Sequence, residues 1–343
     1  MRSPSLIYLL TRVHGLNTHL LTESDYSSLI KAPDVRYIYD YLLHTEYGKY
    51  LSGIPVEQID HRVLSENIAK VYADRMYFLI QLCGGAMRSF LEAFARRIEV
   101  EDIKRVVRAK FGNRKITADE LIPIPRAYQE INFSAMVEAP NIESAIEYIT
   151  VSIYGEAPQY LVASKEAGSI MPLEAYVENK YLENLFKAAR GVADADDVRG
   201  AICTEADIKN LYYIIGLKLI DAPPEIITTI LSAVKIGDVA AWAEELARAK
   251  LEMALDRVWA SKYGWLREYV HEAISKRDLA ATSRGFEKAL YSYFKGLMSS
   301  KPLSFVYVPA YLMLAEAEYK NLITIVTSKV YGLPDEEIEK LII

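Results

Sequence analysis

The chain has 343 residues, 51% of them hydrophobic and 25% charged, with a formal net charge of −6. A chain of this length divides into domains of about 100–150 residues, and this apolar content excludes a disordered polymer. The acidic balance, with no basic stripe, excludes nucleic acid as the main partner.

In chain order, Met1-Arg2-Ser3-Pro4 opens onto a short apolar stretch that Arg12 and His14 interrupt. No small-residue cleavage site follows, so no secretory signal is expected. Val35, Tyr37, Ile38, Tyr41, Leu42 and Leu43 carry helical spacing, as do Val71, Met76, Leu79, Ile80 and Cys83. Breaks fall at Gly84-Gly85, Gly112-Asn113, Pro123-Ile124-Pro125, Gly168, Pro172, Gly191, Pro223-Pro224 and Pro302. The stretch from Ala240 to Trp259, rich in alanine and Glu/Arg pairs without Pro or Gly, predicts one long solvated helix. The longest apolar run, Phe305 to Ala315, has 11 residues and contains Pro309, whereas a membrane-spanning helix needs about 20. Strand-like alternation is short throughout. The expected fold is all-α, in three helical units covering residues 1–125, 126–228 and 229–343.

The three units rest on internal repetition. Ala32-Pro33-Asp34-Val35 leads into a run ending at Tyr47-Gly48, and Ala139-Pro140-Asn141-Ile142 leads into one ending at Tyr154-Gly155. Ser232 to Val239 aligns with Ser28 to Val35, but this weaker copy is read as lacking a Tyr-Gly ending. A second signature follows each run: Asp102-Ile103-Lys104-Arg105-Val106, Asp207-Ile208-Lys209-Asn210-Leu211 and Glu318-Tyr319-Lys320-Asn321-Leu322. A period this long suggests three small domains rather than a solenoid. In each signature the carboxylate borders the apolar stripe four residues on. Two readings follow. In the first the carboxylates serve helix capping and inter-helix bonding, Thr204-Glu205-Ala206-Asp207 resembling a capping box, while the recurring Asn210 and Asn321 lock neighbouring helices. Alternatively, Asp102, Asp207 and Glu318, with Asn210 and Asn321, line the axis of a threefold collar and face a central partner.

Motifs for chemistry are absent. No phosphate-binding loop, GxGxxG or HExxH occurs; His271-Glu272 lacks the second histidine. His14, His19, His44 and His61 are not spaced as metal ligands, and Cys83 and Cys203 read as two reduced thiols. Asp194, Asp196 and Asp197 could begin a magnesium site for a prenyl diphosphate, but the required second acidic cluster is missing, and they read as a loop or helix cap. No catalytic residue, cofactor or metal is expected. The 25 tyrosines suit half-buried interfaces, and scarce glutamine with plentiful Glu, Lys and Arg fits a thermophile.

Three further elements stand in order: an opening Tyr8-Leu9-Leu10-Thr11-Arg12-Val13 with Leu21 to Leu29, an L-x-T-x-Y element at Leu43-His44-Thr45-Glu46-Tyr47, and a C-terminal block. The block runs from Tyr311-Leu312 through Glu316-Ala317-Glu318-Tyr319-Lys320-Asn321-Leu322-Ile323-Thr324-Ile325 to Lys329, Gly332-Leu333-Pro334, Ile338, Leu341 and Ile342. In this order they resemble the C subunit (AC39 family) of the archaeal and bacterial A/V-type ATP synthases, equivalent to the d subunit of the eukaryotic vacuolar ATPase, and the C-terminal block is the most specific. The resemblance implies a non-catalytic funnel of three helical units on the cytoplasmic face of the membrane. Its partners would be the central rotor shaft subunits (D/F type) and the membrane proteolipid ring, and it would transmit torque for proton or sodium transport. The competing reading is a free-standing helical scaffold.

Overall fold

The computed structural model describes residues 4–343, so the Met1-Arg2-Ser3 opening lies outside the described residues. Among those residues the chain forms eighteen α-helices, five 3-10 turns and no β-strand, as expected for an all-α protein. The chain divides into two compact units.

The first unit comprises the described part of Met1–Leu91 with Ile122–Ile124 and Phe294–Ile343. Its centre is the helix Tyr307–Val330, which packs along His61–Gln81 and also meets Pro4–Asn17 and Val35–Leu43. The apolar run from Phe305 supplies its first turns, which are buried on nearly every side. Pro309 sits in the first turn, where its missing N–H has no partner within the helix. The run is therefore a core helix, and among the described residues no helix is long and apolar enough to cross a membrane. Short polar side chains start the surrounding helices. Thr22 and Asp25 form a reciprocal capping box, while Asp34 accepts from the Tyr37 amide and Asp60 from the Val63 amide.

The second unit comprises Glu92–Leu121 and Pro125–Tyr293. Helix Met171–Ala188 packs against Ala157–Ala167 and Ala195–Leu219, and Pro224–Leu231 packs against Val239–Arg248. Gly168 closes Ala157–Ala167 in the left-handed conformation, at φ 62°. Asp194, at φ 52°, begins Ala195–Leu219, with Asp196 and Asp197 in its first turn, as the loop-or-cap reading of this acidic cluster expects.

One predicted element differs. The stretch from Ala240 to Trp259 is not one helix but two, Val239–Arg248 and Leu251–Trp259, parted at Ala249-Lys250 without Gly or Pro. Ala249 turns to the extended conformation at ψ 148°. Lys218, on helix Ala195–Leu219, explains the break: its Nζ donates to the carbonyls of Ala247, at 3.1 Å, and Ala249, at 2.6 Å. A buried ammonium thereby takes up the end carbonyls that a continuing helix would have used. Lys110 does the same after helix Phe133–Glu138, donating to the carbonyls of Val137 and Ala139.

Candidate functional site: three buried carboxylate joints

Asp207 lies in the middle of Ala195–Leu219, fully buried, and not at a helix start. The capping box read at Thr204 is therefore not formed, because Thr204 already sits inside the helix. Instead Asp207 caps a different helix. Its carboxylate accepts the amides of Asp238 and Val239, both at 2.8 Å, at the start of Val239–Arg248, and a hydroxyl hydrogen bond from Tyr263. Asp238, at the cap position, makes no cap bond of its own and pairs with Lys262 at 2.8 Å. Gly237 allows the approach, since a Cβ there would lie 2.2 Å from Asp207 Oδ1 and the backbone has φ +85°. Burial raises the Asp207 pKa despite the three donors.

Glu318 occupies the same place in the first unit. Its carboxylate, 2% exposed, accepts the Leu21 amide just before the Glu23–Ile30 helix and the Tyr47 hydroxyl at 2.7 Å. It also receives Arg75 Nη1 at 2.6 Å. Arg75 is itself buried and reaches Glu46 at 2.9 Å. Burial works against the Arg75 charge, but the surrounding Tyr47, Glu318 and Glu46 raise its pKa.

The counterpart by bonding in the remaining copy is Glu99, not Asp102. Glu99 is buried and accepts the Glu130 amide at 3.2 Å, ahead of the Phe133–Glu138 helix. Both Glu99 and Asp207 stand eleven residues before the lysine that ends a helix, Lys110 or Lys218. Asp102 is one turn further along. It thus corresponds to Asn210 and Asn321, each three residues after its carboxylate. Matching by residue type pairs Asp with Asp, whereas matching by bonding partner pairs Asp207 with Glu99.

The tyrosines complete the pattern, and they correct the third copy. Each of three nine-residue helices, Val35–Leu43, Ile142–Thr150 and Leu251–Trp259, is followed four residues later by a Tyr-Gly pair: Tyr47-Gly48, Tyr154-Gly155 and Tyr263-Gly264. The third Tyr-Gly exists but lies beyond the helix break, out of register with an alignment anchored on Ser232. Two residues before each tyrosine, Thr45, Ser152 and Ser261 each donate a hydroxyl at 2.7 Å to a carbonyl in the last turn of the helix. A Cβ at Gly48 would stand 2.2 Å from the Leu43 oxygen, and one at Gly264 2.6 Å from that of Trp259. The legible signal is Ser/Thr-x-Tyr-Gly, present at all three turns. All three tyrosines are buried.

The remaining candidates also turn inward. Asn210 and Asn179 exchange amide hydrogen bonds at 2.8 and 3.0 Å, tying Ala195–Leu219 to Met171–Ala188. Asn321 donates to the Ile343 carbonyl at 3.0 Å and accepts its amide at 2.6 Å. Asp102 has Arg105 Nη1 at 3.9 Å. At exposures of 0–3%, Asp102, Asp207, Asn210, Glu318 and Asn321 are all buried, and Asp207, Asn210 and Glu318 bond across helices. Around them, Glu178 receives both Lys104, at 2.7 Å, and Lys209, at 2.5 Å. Burial opposes the Glu178 charge, yet these ammonium groups hold its carboxyl down at about 2. Arg97 meets Glu205 at 2.7 Å with both side chains buried.

Charged and amide groups spent in this way join helix to helix within an all-α chain. The sequence profile described as the ATP synthase (C/AC39) subunit matches residues 9–341, and the chain belongs to that family. Its members are structural subunits of the synthase, without catalysis of their own. Among similar proteins, the C subunit of the A-type ATP synthase of Archaeoglobus fulgidus is 25% identical, over 97% of this chain and 94% of the relative. That of Methanocaldococcus jannaschii is 23% identical, over 98% and 86%. That of Pyrococcus abyssi is 22% identical, over 96% and 88%.

Proposed function

We propose that this protein is the central-stalk coupling subunit of a rotary A-type ATP synthase. It is a peripheral collar on the cytoplasmic face, joining the rotor shaft (D/F type subunits) to the membrane proteolipid ring. It passes on the torque that couples ATP chemistry to proton or sodium movement.

The observation that carries the reading is the order of the three joints. With repeats at residues 1–125, 126–228 and 229–343, Glu99 of the first holds the start of the second at Glu130. Asp207 of the second holds the third at Asp238 and Val239, and Glu318 of the third holds the first at Leu21 and Tyr47. A pairing order that returns to its beginning is what a closed collar of three repeats requires. Torque transmission also needs a body that does not shear, and buried, geometrically fixed polar joints resist sliding better than apolar contacts alone. On this reading Asp102, Asp207, Asn210, Glu318 and Asn321 set the wall of the collar near its axis, and other side chains touch the shaft.

Native mass spectrometry of the tagged protein, gently extracted from its own membranes, tests the assignment. Co-purification with a proteolipid ring and a long-helix shaft protein is the expected result. A monomer that also fails to bind added shaft or ring would overturn it in favour of a free-standing scaffold.

A further inference from the structure

The three joints share a plan but not a chemistry. Glu318 faces a buried guanidinium, a tyrosine hydroxyl and an amide. Asp207 faces two amides and a tyrosine hydroxyl. Glu99 has one amide, at 3.2 Å, as its hydrogen-bond donor among the described residues. The hydroxyl of the matching Tyr154 is buried and has no hydrogen-bond partner among the described residues. We propose that the Glu99 joint is a proton-sensitive hinge, gripping the segment around Glu130 harder as its carboxyl takes up a proton, whereas the Glu318 joint carries a permanent ion pair.

The groups around Glu99 make this the physical outcome. From its own helix comes Arg96, whose charge is already engaged with Glu130 in an ion pair. From the segment before Phe133–Glu138 comes Glu130 itself, a like charge that opposes ionisation of Glu99. From the turn after Ile142–Thr150 comes Tyr154, behind which stand Tyr181 and Glu178 of helix Met171–Ala188. Glu178 is neutralised by Lys104 and Lys209 and has no cation to lend. A carboxylate here is a buried charge that Arg96, shared with Glu130, favours but does not offset against burial, and letting water into the joint relieves it. Burial accordingly pushes the Glu99 carboxyl up to about 7.

The sign follows from linkage. With the joint open, Glu99 ionises near its ordinary 4.5; with it closed, near 7. Between those values the closed form holds a proton that the open form has lost. The closed-to-open ratio therefore falls about tenfold per pH unit and levels off above the upper value. Hydrogen exchange read by mass spectrometry on the full-length protein, with rates corrected for the intrinsic pH dependence, tests this. Peptides covering residues 126–139 are expected to lose about 40-fold in protection between pH 5 and pH 7, with only about a further twofold loss by pH 8. Glu99→Gln is expected to flatten that profile. Peptides covering residues 21–30, held by Glu318, report in the same samples whether the whole protein has opened. A flat wild-type profile across residues 126–139 overturns the proposal even if the variant does not fold, and so does a fall that persists in Glu99→Gln.

Discussion

The Glu318 joint of the first unit and the Glu99 joint of the second are built on one plan: a long helix, a mid-helix carboxylate, and the backbone start and Tyr-Gly end of a shorter segment. They differ in what neutralises the carboxylate. Glu318 has Arg75, held in turn by Glu46; Glu99 has one amide as its hydrogen-bond donor among the described residues and the field of Arg96, which pairs with Glu130 instead. The difference teaches that a repeated scaffold preserves where a polar group is buried more strictly than how its charge is met. Geometry is shared because each joint must end one helix pair and start the next, whereas the counter-charge is supplied by whichever neighbouring helix can reach.

The sharpest way to break this comparison is Glu318→Ala. It leaves Arg75 buried beside an empty site, a loss of about 3–5 kcal/mol. Urea or thermal unfolding at neutral pH measures it. A loss below about 1 kcal/mol would show that Glu46 alone can hold Arg75. Next in size is the pH dependence that separates the joints. Glu99, raised to about 7 in the folded protein, gives stability that is complete below about 4.5 and is lost as pH rises to about 7. The loss is on the order of 3 kcal/mol. Glu178, lowered to about 2, acts the other way: its contribution is complete above about 4.5 and is lost as pH falls towards 2. Stability measured from pH 3 to pH 8 should therefore pass through a maximum on the acid side of neutrality. Glu99→Gln should remove the decline on its alkaline side.

The tyrosine-glycine turns sharpen the comparison further. Gly48→Ala forces a methyl to within 2.2 Å of a backbone oxygen and should cost about 1–3 kcal/mol. Gly155→Ala meets the Thr150 oxygen at 3.5 Å, an ordinary contact, and should change stability by no more than about 0.5 kcal/mol. Paired unfolding curves of the two variants decide whether the turns are equally tight. Equal losses would mean that the second turn relaxes less readily than its spacing suggests.

By itself the sequence determined the helical class, several of the breaks between helices, the absence of an obvious catalytic motif and the family. Helical spacing, capping side chains and Gly/Pro breaks act within a turn or two, so they are written locally. The apolar run from Phe305 was legible as too short to span a membrane, and the structure makes it the buried start of helix Tyr307–Val330. Tertiary structure decided the rest. Asp207 reads locally as a helix start, yet it caps a helix thirty-one residues away. The break at Ala249 depends on Lys218, a cation from another helix, and leaves no mark in the broken segment. Glu99 was overlooked and Asp102 chosen because residue type suggested a match that hydrogen bonding moves by one turn. Each case has one physical cause. A buried polar group must find a partner, and across helices that partner is fixed by packing in space rather than by spacing along the chain.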